Sequence, residues 1–125
     1  MKSNKSVNTI TLREFRFIRL VHDLATQRAF YEEIFNWPVI AEWSDGVMFN
    51  TGASTFELIR DLEAGKPNGS SRVAISVPDV WSLFEHLKDK VTLVFPLRDN
   101  SWGDTSFRIT DPDGFPITFF TPTKK

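Results

Sequence analysis

One order of elements, strand, helix, then three strands, can be read twice along this 125-residue chain, and the second reading falls on the first in order and length. Glu14 to Val21 is rich in Phe, Ile, Leu and Val and reads as a strand that stops at His22-Asp23. Asp23 is a helix N-cap, and from Leu24 to Phe35 the residues Phe30, Tyr31, Ile34 and Phe35 recur at helical spacing with Glu32 and Glu33 opposite. Asn36 can take the left-handed conformation that ends a helix, and Pro38 blocks its resumption. Three short strands follow, Val39 to Trp43, Val47 to Thr51 and Ser54 to Arg60, separated by Ser44-Asp45-Gly46 and Gly52-Ala53.

The stretch from Asp61 to Ser71 has linker composition, with Gly65, Pro67 and Gly69. The pattern then restarts with a strand at Arg72 to Val77, a cap at Asp79, and a helix in which Val80, Leu83, Phe84 and Leu87 fall on one face. Strands are predicted at Val91 to Pro96, Ser106 to Thr110 and Pro116 to Thr121. Aligning Asp23 with Asp79 sets Phe17, Arg19 and Val21 against Val73, Ile75 and Val77. A doubled supersecondary unit buries each half-sheet against its own helix and its twin. One domain is expected over 1–125, with module one at about 10–62, a linker at about 62–71 and module two at about 72–122.

Composition narrows the function classes. With 15 basic and 16 acidic residues the formal charge is −1, too weak a field to steer the chain to nucleic acid or an anionic membrane. No apolar run approaches the roughly 18 residues of a membrane span, and a cytoplasmic protein is expected. Cysteine is absent, which removes disulfides, thiolate nucleophiles and zinc–thiolate sites. His22 reads as a turn residue and His86 as a solvent-facing helix residue, so neither a serine triad nor a histidine-rich metal site can be assembled.

Four segments together resemble the vicinal oxygen chelate superfamily, which holds glyoxalases, bleomycin-resistance proteins, fosfomycin-resistance enzymes and extradiol dioxygenases. They are Leu20-Val21-His22-Asp23-Leu24, Phe30-Tyr31-Glu32-Glu33-Ile34-Phe35, Val77-Pro78-Asp79-Val80 and Asp111-Pro112-Asp113-Gly114. The resemblance implies an α+β fold in which two βαβββ modules form an open curved mixed sheet around a cavity, and it implies a homodimer. It also implies that metal-binding members take ligands from the start of the first strand and from a carboxylate on the last strand of each module. Those positions here are Arg16, Arg72, Glu57 and Thr118. Only Glu57 has a ligand-type side chain, and a divalent ion needs several oxygen or nitrogen donors. No metal cofactor is therefore expected; Arg16 or Arg72 is expected to pair with Glu57 through a planar two-point contact.

The first strand leaves two registers open. If Arg16 faces the cavity, Arg19 lies on the helix side, where a charge is costly; a one-residue bulge would turn Arg19 inward instead. Trp102 either closes over a planar ligand or plugs the sheet edge, and the faces of Arg108 and Thr110 are undecided. Both aspartates of Asp111-Pro112-Asp113-Gly114 are expected to satisfy backbone donors in a turn rather than do chemistry. The leading expectation is metal-independent binding of a small anionic or aromatic molecule by Arg16, Arg19, Glu57, Arg72, Trp102, Arg108 and Thr118. The alternatives are a lyase, isomerase or dioxygenase with an atypical active site, using unusual ligands or Glu57 as general base, or a non-catalytic dimeric interaction module.

Overall fold

The computed structural model describes residues 9–123. Module one contains β1 (Arg16–Val21), α1 (Leu24–Phe35), β2 (Val39–Trp43), β3 (Gly46–Asn50) and β4 (Thr55–Arg60). Module two contains β5 (Val73–Ser76), α2 (Val80–Leu87), β6 (Thr92–Asp99), β7 (Asp104–Thr110) and β8 (Pro116–Pro122). Hydrogen bonding divides the strands into two sheets of identical plan, β1-β4-β3-β2 and β5-β8-β7-β6. In each, the first strand runs parallel to the last and the other pairs are antiparallel. The fold is α+β, mixed and open, with no closed barrel.

Both helices start as their sequences dictate. Asp23 accepts the Thr26 amide at 3.1 Å and Asp79 the Ser82 amide at 3.0 Å, each filling an otherwise orphaned donor of the first turn. Asn36 closes α1 in the left-handed region at φ 55°, with its own amide donating to the Glu32 carbonyl.

Strand alternation sends Phe56 and Leu58 of β4, Phe107 and Ile109 of β7, and Ile117 and Phe119 of β8 into one core. The two modules share it. Phe35 of α1 meets Phe119 at 5.6 Å between ring centroids, and Phe17 of β1 meets Phe115 at 5.8 Å. The helix-facing sides of both sheets thus supply the interior. The intervening residues turn away from this core: Glu57 in the first sheet, itself buried at 5% exposure, and the half-buried Arg108, Thr118 and Phe120 in the second.

Two boundaries differ from expectation in a way that matters. The strand predicted to end at Pro96 continues to Asp99, and its partner begins at Asp104 rather than Ser106. Proline removes a ladder donor, but β6 is the outer strand of its sheet, where a missing amide bond is tolerated. Two register shifts accompany it: Leu93 is opposite Ile109 and Phe95 opposite Arg108, while Arg98 is opposite Ser106. Each shift adds a residue to β6 and reverses the alternation. Leu93 and Leu97 pack against the core, whereas Phe95 and Arg98 both face the open side.

Candidate functional site

The open face of the second sheet holds a cleft of about 360 Å³. Arg108 on β7 and Thr118 on β8 are direct cross-strand partners, and the Arg108 Nε donates to the Thr118 hydroxyl at 2.8 Å. Ala74 of β5, opposite Thr118, contributes no bulk to the floor. Arg72, just before β5, lines the same space. From the edge strand, Phe95 lies under the Arg98 guanidinium, 3.6 Å from its ring centroid, and Arg108 lies 4.8 Å from that ring. The ring's negative face attracts both cations and offsets part of their mutual repulsion.

The hairpin between β6 and β7 forms the rim. Gly103, at φ 108°, takes a backbone conformation that side-chain-bearing residues rarely adopt, which tightens the turn. Asn100 bridges it by donating to Asp104 Oδ1 and to Ser106 Oγ, both at 2.8 Å, and accepts from Arg98 Nε at 3.2 Å. Trp102 projects from this turn over the cleft and is 73% exposed, so its ring is available to a ligand. Phe120 supplies a second aromatic wall.

The charge balance is lopsided. Arg72, Arg98 and Arg108 make no ion pair among the described residues. Burial, then Arg72, then Arg98 lower Arg108's pKa from its ordinary value. Among the described residues Asp104 is the one carboxylate lining the cleft.

The residues singled out from sequence therefore separate into three places. Arg72, Trp102, Arg108 and Thr118 come together in the cleft. Glu57 and Arg16 are on the open face of the first sheet, outside the cleft lining; the Arg16 Nη1 donates to Glu57 Oε2 at 3.4 Å, a single long contact, and Arg16 holds Glu14 more closely at 2.9 Å. Hydrogen bonding to Glu14 is the main cause that raises the Arg16 pKa, with Glu57 contributing less. Instead of the two-point pair expected from sequence, Glu57 has one distant guanidinium, and Arg72 belongs to the other sheet.

Arg19 is in neither place. β1 keeps an unbulged register against β4, which turns Arg19 to the interior, 8% exposed. Its Nη2 donates to Asp111 Oδ2 at 2.7 Å, and its guanidinium stacks on Phe115 at 4.6 Å from the centroid. Tyr31 donates to the same Asp111 oxygen at 2.9 Å. Burial pushes the Arg19 pKa down, while the hydrogen bond and charge of Asp111, with Tyr31, more than offset it and hold it above its ordinary value. The other Asp111 oxygen accepts the amides of Asp113 at 2.9 Å and Phe115 at 3.1 Å, the turn role expected of it. In the sequence Arg19 stands out as a costly charge on the helix side and Asp111 as a turn residue; their pairing comes from the packing of the two modules.

Arg98 and Phe95 were missed. A strand ending at Pro96 leaves Arg98 outside it, and nothing in the sequence singles out Phe95.

The four positions that the resemblance assigned to metal ligands hold Arg16, Glu57, Arg72 and Thr118, divided between the two modules. Two are cations and one is a hydroxyl already engaged by Arg108. No three His, Cys, Asp or Glu side chains gather as a ligand set among the described residues. This donor chemistry does not fit a divalent ion.

Paired βαβββ modules of matching strand order, with a ligand-sized cleft on an open sheet face, define the glyoxalase-type class of α+β proteins. The glyoxalase-like domain model matches residues 15–120, and the chain belongs to that family, within the vicinal oxygen chelate superfamily. A glyoxalase/bleomycin resistance protein/dioxygenase from Nocardioides superposes with a TM-score of 0.80 at 15% identity, covering 96% of this chain and 90% of that one. Its counterpart from Alicyclobacillus acidocaldarius gives 0.73 at 15% identity, with 89% and 92% covered. A lactoylglutathione lyase from Agrobacterium tumefaciens gives 0.69 at 16% identity, with 85% and 90% covered. At these identities the likeness shows the fold. No curated protein matches the sequence.

Proposed function

We propose that this protein binds a small anionic, aromatic organic molecule without a metal, in the cleft of the second sheet, and that it works as a homodimer. The observation that carries this reading is the presence of Arg72, Arg98 and Arg108, without carboxylate ion pairs, beside the aromatic rings of Trp102 and Phe120 in one cleft. Uncompensated guanidinium groups recruit a carboxylate or phosphate through charge-assisted, fork-shaped hydrogen bonds, and an exposed indole offers a stacking surface. The cleft volume is at the small end of ligand sites, about 300 to 1,000 Å³, and suits a single-ring molecule. Sequestration of such a ligand, as in the bleomycin-resistance branch, requires no bond-making.

Apolar side chains on the open face of the first sheet, Ile18, Leu20 and Trp43, are 46%, 49% and 43% exposed and support self-association. An enzymatic reading with Glu57 as base has less support, because Glu57 lies outside the cleft lining and is turned toward Arg16.

A thermal-shift series with small aromatic acids tests the proposal, since a ligand that binds only the native state raises its apparent stability. Benzoate-type acids are expected to raise the melting temperature and neutral benzyl alcohols to leave it unchanged. R108M is expected to abolish the response. Equal shifts with acids and alcohols would remove the anion from the reading, and stoichiometric metal in the purified protein would remove the metal independence.

A further inference from the structure

We infer that the cleft selects a dianion carried on a single aromatic ring, an aryl phosphate or an aromatic dicarboxylate, and that Arg98 is the residue that sets this charge preference. The inference rests on the anion-binding reading above and specifies its ligand.

The argument begins with the charges present. Three guanidinium groups and one carboxylate line the cleft, which leaves two positive charges without a counter-charge. A monoanion neutralises one and leaves the other facing a like charge in a partly desolvated space, whereas a dianion neutralises both.

The free hydrogen-bonding capacity points the same way. Arg108 uses its Nε on Thr118, and Arg98 uses its Nε on Asn100. Among the described residues the terminal nitrogens of both make no hydrogen bond, so each guanidinium has its outer edge available. Phe95 is in contact with both cations, their guanidinium carbons lying 3.6 and 4.8 Å from one ring centroid. Donors from two guanidinium groups that line one cleft suit either one phosphate group with three acceptor oxygens or two carboxylates on one ring.

Arg98 is the specificity element because it reaches the cleft only through the second bulge of β6, opposite Ser106. It is the exposed member of the stacked pair, so its side chain can be changed without opening the core. Arg72 and Arg108 remain to hold a single negative group when Arg98 is gone.

Calorimetric titration of the full chain at about pH 8 tests this, because a phosphate monoester is doubly charged well above its second pKa of about 6. The probes are phenyl phosphate, the similarly shaped monoanion benzenesulfonate, isophthalate and inorganic phosphate. Phenyl phosphate or isophthalate is expected to bind at least about tenfold more tightly than benzenesulfonate, a difference of about 1.4 kcal/mol. Whichever of the two is tighter identifies phosphate or dicarboxylate. In R98Q both kinds of probe are expected to weaken, the dianions by more, so that the preference falls below about threefold; R98K, which keeps the charge and loses the fork, is expected to retain part of it. Circular dichroism of both variants reads whether the fold is kept.

Benzenesulfonate binding as tightly as both dianions, or R98Q weakening all probes by one factor, would overturn the dianion preference while leaving an anion site in place. Inorganic phosphate binding as tightly as phenyl phosphate would remove the aryl requirement. Absence of binding by all four probes would overturn the anion-binding reading itself.

Discussion

The Arg19 guanidinium and the Asp111 carboxylate meet at 2.7 Å across 92 positions of sequence, and they tie the first strand of one module to the β7–β8 turn of the other. Asp111 is fully enclosed and Arg19 nearly so. A buried pair of this kind adds little over an apolar substitute, yet removing one partner strands the other charge in a poor solvent.

D111A is therefore expected to lower the unfolding free energy by about 3 to 5 kcal/mol. The loss includes the acceptor used by Tyr31 and those used by the amides of Asp113 and Phe115. Urea unfolding monitored by tryptophan fluorescence reads it. A loss below about 1 kcal/mol, within the range of exposed pairs, would show that the pair is solvated.

Tyr31 is the single tyrosine of the chain, and burial, followed by the charge and hydrogen bond of Asp111, raises its pKa well above the ordinary 10. In the unfolded chain it loses its proton near 10, while the native state keeps it. Above that pH the unfolded state binds fewer protons, so stability is full below pH 10 and falls by about 1.4 kcal/mol per pH unit beyond it. Y31F is expected to remove this component from denaturation curves taken at successive alkaline pH values. Tyrosinate absorbance that develops at the same pH in native and urea-unfolded protein would contradict the assignment.

A methyl group at Gly46 would stand 2.5 Å from Trp43 Cζ2 and 2.9 Å from the Leu58 carbonyl oxygen. The second neighbour is backbone and cannot swing aside, so G46A is expected to cost about 1 to 3 kcal/mol by overpacking. Thermal unfolding of G46A beside G52A, where an added Cβ meets nothing within 4 Å but φ is +90°, separates steric crowding from backbone strain.

Trp102 touches the solvent more than the protein. W102A is expected to leave stability within about 0.5 kcal/mol, as surface substitutions do. It is expected to weaken an aromatic anion by about three- to tenfold, the worth of one aromatic contact. Inorganic phosphate affinity should stay unchanged, and an equal loss for both ligands would assign Trp102 to shaping the hairpin rather than to stacking.

Local signals carried much of the plan. Asp23 and Asp79 cap their helices because a carboxylate before an apolar helical pattern fills the free amides of the first turn, whatever surrounds it. In Pro116 to Thr121 alternation around Thr118 sends Ile117 and Phe119 to the core, whereas the face of Ser106 to Thr110 is decided by its pairing, Phe107 opposite Phe119 and Ile109 opposite Ile117. The turn at Asp111-Pro112-Asp113-Gly114 was equally legible, since its hydrogen bonds are made within a few residues.

What escaped depended on neighbours far away in the chain. Pro96 ends a strand in the interior of a sheet and not on an edge, and the edge position of β6 is set by the order of β8 and β7 beside it. Only that placement, with its two register shifts, turns Phe95 and Arg98 to the cleft. Likewise, the sequence showed that Arg19 would be costly inside, but whether a counter-charge waited there was decided by how the two modules pack, because an ion pair's energy depends on separation in space and not along the chain.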